Sequence, residues 1–191
     1  MNTAPSSLPL LLLILMADFA ITLLHAYQEW KGAGAPLWRN FGAIVGLDIS
    51  DRWGFRLFTV ALTVILFVVG FIAILSLFPA WMTAFALGAL IGARLSDTLI
   101  SHVLLYALGY RPNPGLSTTP IYILEAIFLF WFFEASLTAA PGSAWWGFAC
   151  GFLAFVLVLP SLWIGRWVWP QHRRLRWRPW EPVPAWAKVS R

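Results

Sequence analysis

Five long apolar runs dominate the chain, over residues 7–29, 54–78, 81–109, 119–139 and 144–169. Each is about 20 residues or more, enough for an α-helix to cross the hydrocarbon core of a bilayer. The polar residues inside them are few, and they recur at helical spacing. At a turn of about 100° per residue, Asp18, Thr22, His25 and Glu29 fall within an arc of about 60° on the first run. Arg94, Asp97, Thr98, Ser101 and His102 share about 140° of the third. On the fourth, the spacing of Glu125 and Glu134 turns them about 180° apart, so Glu125 is assigned to the polar cluster and Glu134 is left unassigned. The fifth run carries no acid–base group in its core, and Pro160 is expected to kink it. Gly88 with Gly92, and Gly147 with Gly151, are small-residue pairs where a neighbouring helix or a second copy of the chain can approach closely. The pattern predicts an all-α, polytopic transmembrane bundle of five spans. Residues 1–170 form its single domain, followed by a basic, Trp/Pro-rich tail over 171–191.

Composition agrees with that class. Hydrophobic residues make up 60% of the chain and charged residues 11%, with 13 tryptophans and a mean hydropathy of +0.76, which excludes an ordinary water-soluble domain. The first run is read as a span and not as a cleaved signal, because no basic residue precedes it and Asp18 and His25 interrupt it. The lone Cys150 excludes an intramolecular disulfide and a cysteine-rich metal site.

Charge sets the orientation. Lys31, Arg39 and Arg52 lie between the first two runs, Arg111 follows the third, and the tail carries Arg173, Arg174, Arg176, Arg178, Lys188 and Arg191. The chain start, the Pro79-Ala80 turn and residues 140–143 carry no Lys or Arg. An N-terminus outside and a C-terminus in the cytoplasm put every basic segment on the cytoplasmic side. Trp145 and Trp146 then mark the outer interface, and Trp163, Trp167 and Trp169 the inner one. The net charge of +5 is therefore topological, and the basic tail reads as an anchor on anionic lipid rather than a nucleic-acid surface.

Depth follows from the helical rise of about 1.5 Å per residue. His25, His102 and Glu125 fall roughly 7–10 Å inside the cytoplasmic boundary, with Glu29 at it. Asp18, Arg94, Asp97 and Glu134 form a deeper layer, roughly 16–22 Å in. Ionisable groups in hydrocarbon are costly and are kept mainly where they line a cavity or a functional site. Three helices delivering them to one level mark a cytoplasm-facing polar site among helices one, three and four. His25, Glu29, His102 and Glu125 are its candidate catalytic and metal-ligating residues, with Asp18, Arg94, Asp97 and Ser101 behind them. Two histidines with carboxylates can hold a divalent metal, or act as general acid and base without one. Plainer readings stand beside these. His25 and Glu29 are spaced as a helix-stabilising pair, His102 can bond a backbone carbonyl, and Arg94 can simply neutralise Asp97 or Asp18. Tyr110 to Gly115 reads as a tight turn with Thr118 or Thr119 capping the next helix. Leu37, Phe41, Ile44 and Val45 predict a short interfacial helix near the mouth of the site.

Two stretches carry a family resemblance. His25-Ala-Tyr-Gln-Glu29-Trp30 resembles the N-terminal motif of the HXXEE-domain family, small multi-span proteins found largely in bacteria. His102 through Tyr110-Arg111-Pro-Asn-Pro114-Gly115 to Thr119 is similar to that family's second motif, a histidine followed by a Pro-Gly turn and a Thr-rich helix start. The resemblance implies a bacterial inner-membrane fold and polar motifs, without a reaction. Gln28 stands where the family name implies the first of two glutamates, so a role needing adjacent carboxylates is not carried over.

Three classes of function fit these features. An enzyme acting on a lipophilic substrate would use the His/carboxylate site with or without a divalent metal. A di-iron oxygenase of the histidine-rich membrane type is excluded, since the chain has three histidines and His172 lies in the tail. A proton-coupled transporter would use the deeper layer as its path, although no internal repeat is visible. A structural or assembly subunit would use the glycine pairs and leave the polar cluster internally satisfied.

Overall fold

The structure, a computed structural model, describes residues 7–31, 52–107, 113 and 115–156. Every regular element among them is helical. Helix α1 (Leu8–Lys31) and α2 (Arg52–Leu75) precede α3 (Ala80–Ser96), which runs on into a π-helical segment (Asp97–Leu104) and one last turn (Leu105–Ala107). A 3₁₀ turn (Leu116–Thr118) leads into α4 (Thr119–Phe132), followed by α5 (Glu134–Ala139) and α6 (Pro141–Val156). Proline opens several of these helices, at Pro9, Pro120 and Pro141, where the missing N–H has no intrahelical partner to lose. By length and composition, Leu8–Glu29 and Ala80–Leu104 are long and apolar enough to cross a membrane. Val60–Leu75 and Leu116–Phe132 are apolar but shorter.

Helix α3 is the central element. It packs most extensively on α6 and also contacts α2, α4 and α5, while α1 lies against α2 and touches α4. One part of the interior is apolar, built from Leu11, Ile14, Leu15, Ile74, Leu87, Leu90 and Leu129. The rest of the interior is polar. Asp18, His25, Glu29, Arg94, Asp97, His102 and Glu125 are all buried, while Leu13, Trp131, Trp145 and Trp146 are 67–72% exposed. A water-soluble fold distributes these residue types the other way round.

Several expectations change at this level. The fourth run is not one helix: it breaks at Phe133, whose carbonyl accepts from Ser136 and Leu137 to start α5. Glu134 consequently stands exposed in the first turn of α5, where its charge complements the helix dipole, and takes no part in the polar interior. Thr118 does not cap α4 through its side chain; its hydroxyl turns back to the Gly115 carbonyl at 2.7 Å. The glycine faces expected to suit a second copy are occupied within the chain. A Cβ on Gly88 would meet the Ala144 carbonyl oxygen and lie 2.8 Å from the Phe148 nitrogen, and one on Gly151 would meet the Ala89 carbonyl. Helices α3 and α6 thus cross backbone to backbone. The interfacial helix expected within residues 30–53, Pro160, Trp163 to Trp169 and the tail fall on or beyond the edge of the described residues, and all but Trp30, Lys31, Arg52 and Trp53 lie outside them.

Candidate metal centre

Two imidazoles meet at the centre of the bundle. His25 comes from α1 and His102 from the π-helical segment, and their Nε2 atoms lie 3.2 Å apart. The local reason is the wider turn. In an α-helix, Asp97 and His102 would point about 140° apart. Closure from residue i to i+5 widens the turn and narrows that angle, so Asp97 and His102 both face His25. Asp97 Oδ2 lies 3.2 Å from His25 Nε2, and Oδ1 lies 3.8 Å from His102 Nε2. Glu29, one turn below His25 on α1, places Oε1 3.9 Å from His25 Nε2 and 3.8 Å from His102 Nε2.

The opposite edges of both rings are anchored. The single hydroxyl proton of Thr118 goes to the Gly115 carbonyl, so its oxygen accepts from His25 Nδ1 at 2.7 Å. The Asn113 amide donates to the carbonyls of Ser101 (3.3 Å) and His102 (3.0 Å), so its Oδ1 accepts from His102 Nδ1 at 2.7 Å. In the neutral rings these bonds favour the proton on Nδ1, which leaves both Nε2 atoms as acceptors, 3.2 Å from each other and close to Asp97. Gly115, at φ 92°, makes room for this. A Cβ there would stand 2.6 Å from His102 Cε1 and 2.8 Å from His25 Cε1. The turn before α4 is thus folded inward against the rings.

A second cluster lies beside the first. Arg94 Nη2 donates to Asp18 Oδ1 at 2.9 Å and also to Thr22 Oγ1, and its Nε lies 2.8 Å from Glu125 Oε2. Thr22 in turn donates to the Asp18 carbonyl. Tyr122 joins the two clusters: its ring lies 4.5 Å from that of His25, and the Arg94 guanidinium stands 4.3 Å over it.

Glu125, expected beside the histidines, therefore belongs to the arginine cluster, and Asp97, expected in the deeper layer, takes its place. The cause is the inward fold of the turn before α4. It brings Thr118 to the level of His25, and Glu125 lies about 10 Å further along the helix. Ser101 is fully buried next to His102 and contributes its carbonyl to Asn113. Asn113, Gly115, Thr118 and Tyr122 were not among the candidate site residues. The Pro-Gly turn is the visible signal for the first three, and its sequence reads first as a tight turn and second as a lip over the cavity.

Among the described residues, His25, Asp97 and His102 each offer one ligand atom, all within 4.8 Å of one another. A tetrahedral centre with bonds of about 2.0–2.1 Å spaces its donors roughly 3.3 Å apart, close to the 3.2 Å between the two Nε2 atoms and between His25 and Asp97. Asp97 Oδ1 is fully buried and makes no hydrogen bond. The donor set and these two spacings suit a divalent transition-metal ion, whereas Asp97 Oδ1 to His102 Nε2 at 3.8 Å and Glu29 Oε1 at 3.8–3.9 Å are wider than that spacing; the outer hydrogen bonds are of the kind that orient metal-bound imidazoles. No protein-family model matches the chain, and neither the curated proteins nor the solved structures contain a match to it.

Proposed function

We propose that this protein is a five-span membrane enzyme of the bacterial inner membrane that uses a divalent metal at His25, Asp97 and His102, with Glu29 as a fourth ligand, to act on a lipophilic substrate. One observation carries the proposal. Both Nδ1 atoms are bonded to fixed acceptors, and the two Nε2 atoms stand 3.2 Å apart beside a carboxylate, which in neutral rings brings two acceptors together. That arrangement is repulsive until a cation or a shared proton occupies it. An ion there would supply Lewis acidity to a group brought beside it. Asp97 and Glu29 hold the charge balance, and the rings, fixed at Thr118 and Asn113, keep the donors in place without reorganisation.

The membrane assignment is supported by the inverted distribution of residues, with charges inside and large apolar side chains outside. The orientation rests on the Lys/Arg asymmetry of the connecting segments. Kinship with the HXXEE-domain proteins remains part of the proposal. It is supported by the meeting of both motif histidines, His25 and His102, at one point.

Elemental analysis of the purified full chain tests the metal. Near-stoichiometric zinc, iron or manganese is expected, falling to background in the His25→Ala/His102→Ala double variant. Background metal in the unaltered chain, even after loading with each of these ions, would remove the metal and leave an acid–base pair sharing a proton between His25 and Asp97.

A further inference from the structure

A groove between α1 and α4 opens to the outside of the bundle and ends on the arginine cluster. Leu10, Leu13, Ile21, Ile121, Leu124 and Phe128 wall a cavity of about 480 Å³, and Asp18 and Glu125 are the polar residues that line it. The volume lies in the range of small-molecule sites, roughly 300–1,000 Å³. Leu13 and Leu124 are each about two-thirds exposed, so the groove is continuous with the apolar outer surface and can be entered sideways from a bilayer.

The polar end is built and incomplete. The Glu125 side chain is 95% buried, and its Oε1 makes no hydrogen bond. Its other oxygen faces Arg94, whose Nη2 is already committed to Asp18 and Thr22. Asp18 is pinned from the far side by α2, where a Cβ on Gly70 would stand 2.7 Å from its Oδ2. One guanidinium thus faces two acidic side chains, so the cluster holds one cationic group against two carboxyl groups. Such a site favours a hydrogen-bond donor and disfavours an anion.

We infer that the groove between α1 and α4 binds a single-chain lipophilic molecule whose polar end is a hydrogen-bond donor, an alcohol or an amine, received by Glu125. A fatty acid or a phosphate ester would bring a second anion to a cluster already rich in carboxylate. The inference names the lipophilic partner of the proposed enzyme and rests on its membrane reading. It does not need the metal, since none of the candidate metal ligands His25, Asp97 and His102 belongs to the arginine cluster. Tyr122, packed on both Arg94 and His25, stands between the arginine cluster and the histidine centre.

Photolabelling tests this on the full chain, stripped of metal by chelation and reconstituted in phosphatidylcholine nanodiscs. Diazirine-bearing probes of equal chain length would carry an alcohol, an amine or a carboxylate end. The alcohol, the amine or both are expected to label residues 121–128 at least about tenfold more than the carboxylate, and unlabelled alcohol to compete. Labelling by one donor and not the other names the ligand's end group. Glu125→Gln is expected to lose the preference for donors over carboxylate. Ile121→Trp, which fills the groove without touching the charges, is expected to abolish labelling of 124–128. Equal labelling by all three probes, or a preference unchanged in Glu125→Gln, would reduce the groove to a seam filled by any bilayer chain and overturn the inference. Metal content is read separately, so absence of metal bears on the histidine centre and labelling bears on the groove alone.

Discussion

His25 and His102 differ from most buried histidines in what their outer nitrogens do. A histidine used only for packing needs one hydrogen bond, and either nitrogen will serve. Here both rings spend Nδ1 on a fixed acceptor, Thr118 Oγ1 and Asn113 Oδ1, at the same 2.7 Å. If these bonds orient ligands, removing them weakens metal binding without removing a ligand. Thr118→Val and Asn113→Ala are each expected to lower affinity about 10–100-fold, read by competition titration against a chelator of known affinity. The folded fraction of each variant should stay close to that of the unaltered chain. Undiminished affinity in both would show that the anchors are structural and that the rings are free to turn. The histidines themselves were legible in the sequence, because an ionisable residue in an apolar run is conspicuous. Their anchors were not. Asn113, Gly115 and Thr118 are ordinary turn residues by composition, and only the φ of 92° at Gly115 and its approach to both rings give the turn its second role.

At the scale of the helix, two features of α3 set the geometry, and they differ in how visible they are. The first is the switch to π-helical closure at Asp97, which rotates Asp97 and His102 onto one side. No residue in Asp97–Leu104 announces it, since neither proline nor glycine interrupts the segment, and a uniform 100° step leaves Asp97 and His102 about 140° apart. The second is the crossing of α3 on α6, and it was legible as spacing. Gly88 and Gly92 fall opposite the polar stripe, and Gly147 and Gly151 repeat the interval. The spacing announced a close approach but not its partner. Because each glycine faces backbone, no side-chain adjustment can admit a larger residue. Gly151→Ile would drive its Cβ into the Ala89 carbonyl and to 2.9 Å from the Ala93 nitrogen, forcing the helices apart. The expected loss is about 1–3 kcal/mol, read as a lowered unfolding midpoint in detergent. Gly142→Ile, where a Cβ meets nothing within 4 Å, is the matched control and should be silent. Equal midpoints for the two would refute the backbone contact. A change in oligomer size without a change in midpoint would instead return these glycines to an intermolecular role.

For the whole molecule, the question is which way the polar interior faces, because access to the histidine centre and to the groove depends on it. Apart from Glu134, the acidic and basic side chains whose burial is described face inward, and Trp81, Trp131, Trp145 and Trp146 face outward, a distribution that suits hydrocarbon and is indifferent to direction. Direction comes from the connections. Residues 140–143 and the Pro79-Ala80 turn lack Lys and Arg, whereas Arg111 and the segments beyond α1 and α6 carry them. The histidine centre lies next to the turn before α4, so the proposed topology would put its nearest edge on the cytoplasmic side. Single cysteines test this in a Cys150→Ala background, with an impermeant maleimide applied to intact cells. Gly142→Cys, in open space at the start of α6, is expected to react fully. Ser117→Cys, exposed in the turn that covers the histidines, is expected to react only after the inner membrane is permeabilised. The reverse pattern would place the histidine centre near the outer face and invert the topology. Equal reaction at both sites in intact cells would mean that the chain does not span the membrane at all, and the buried charges would then belong to a folded core shielded by partners rather than by lipid.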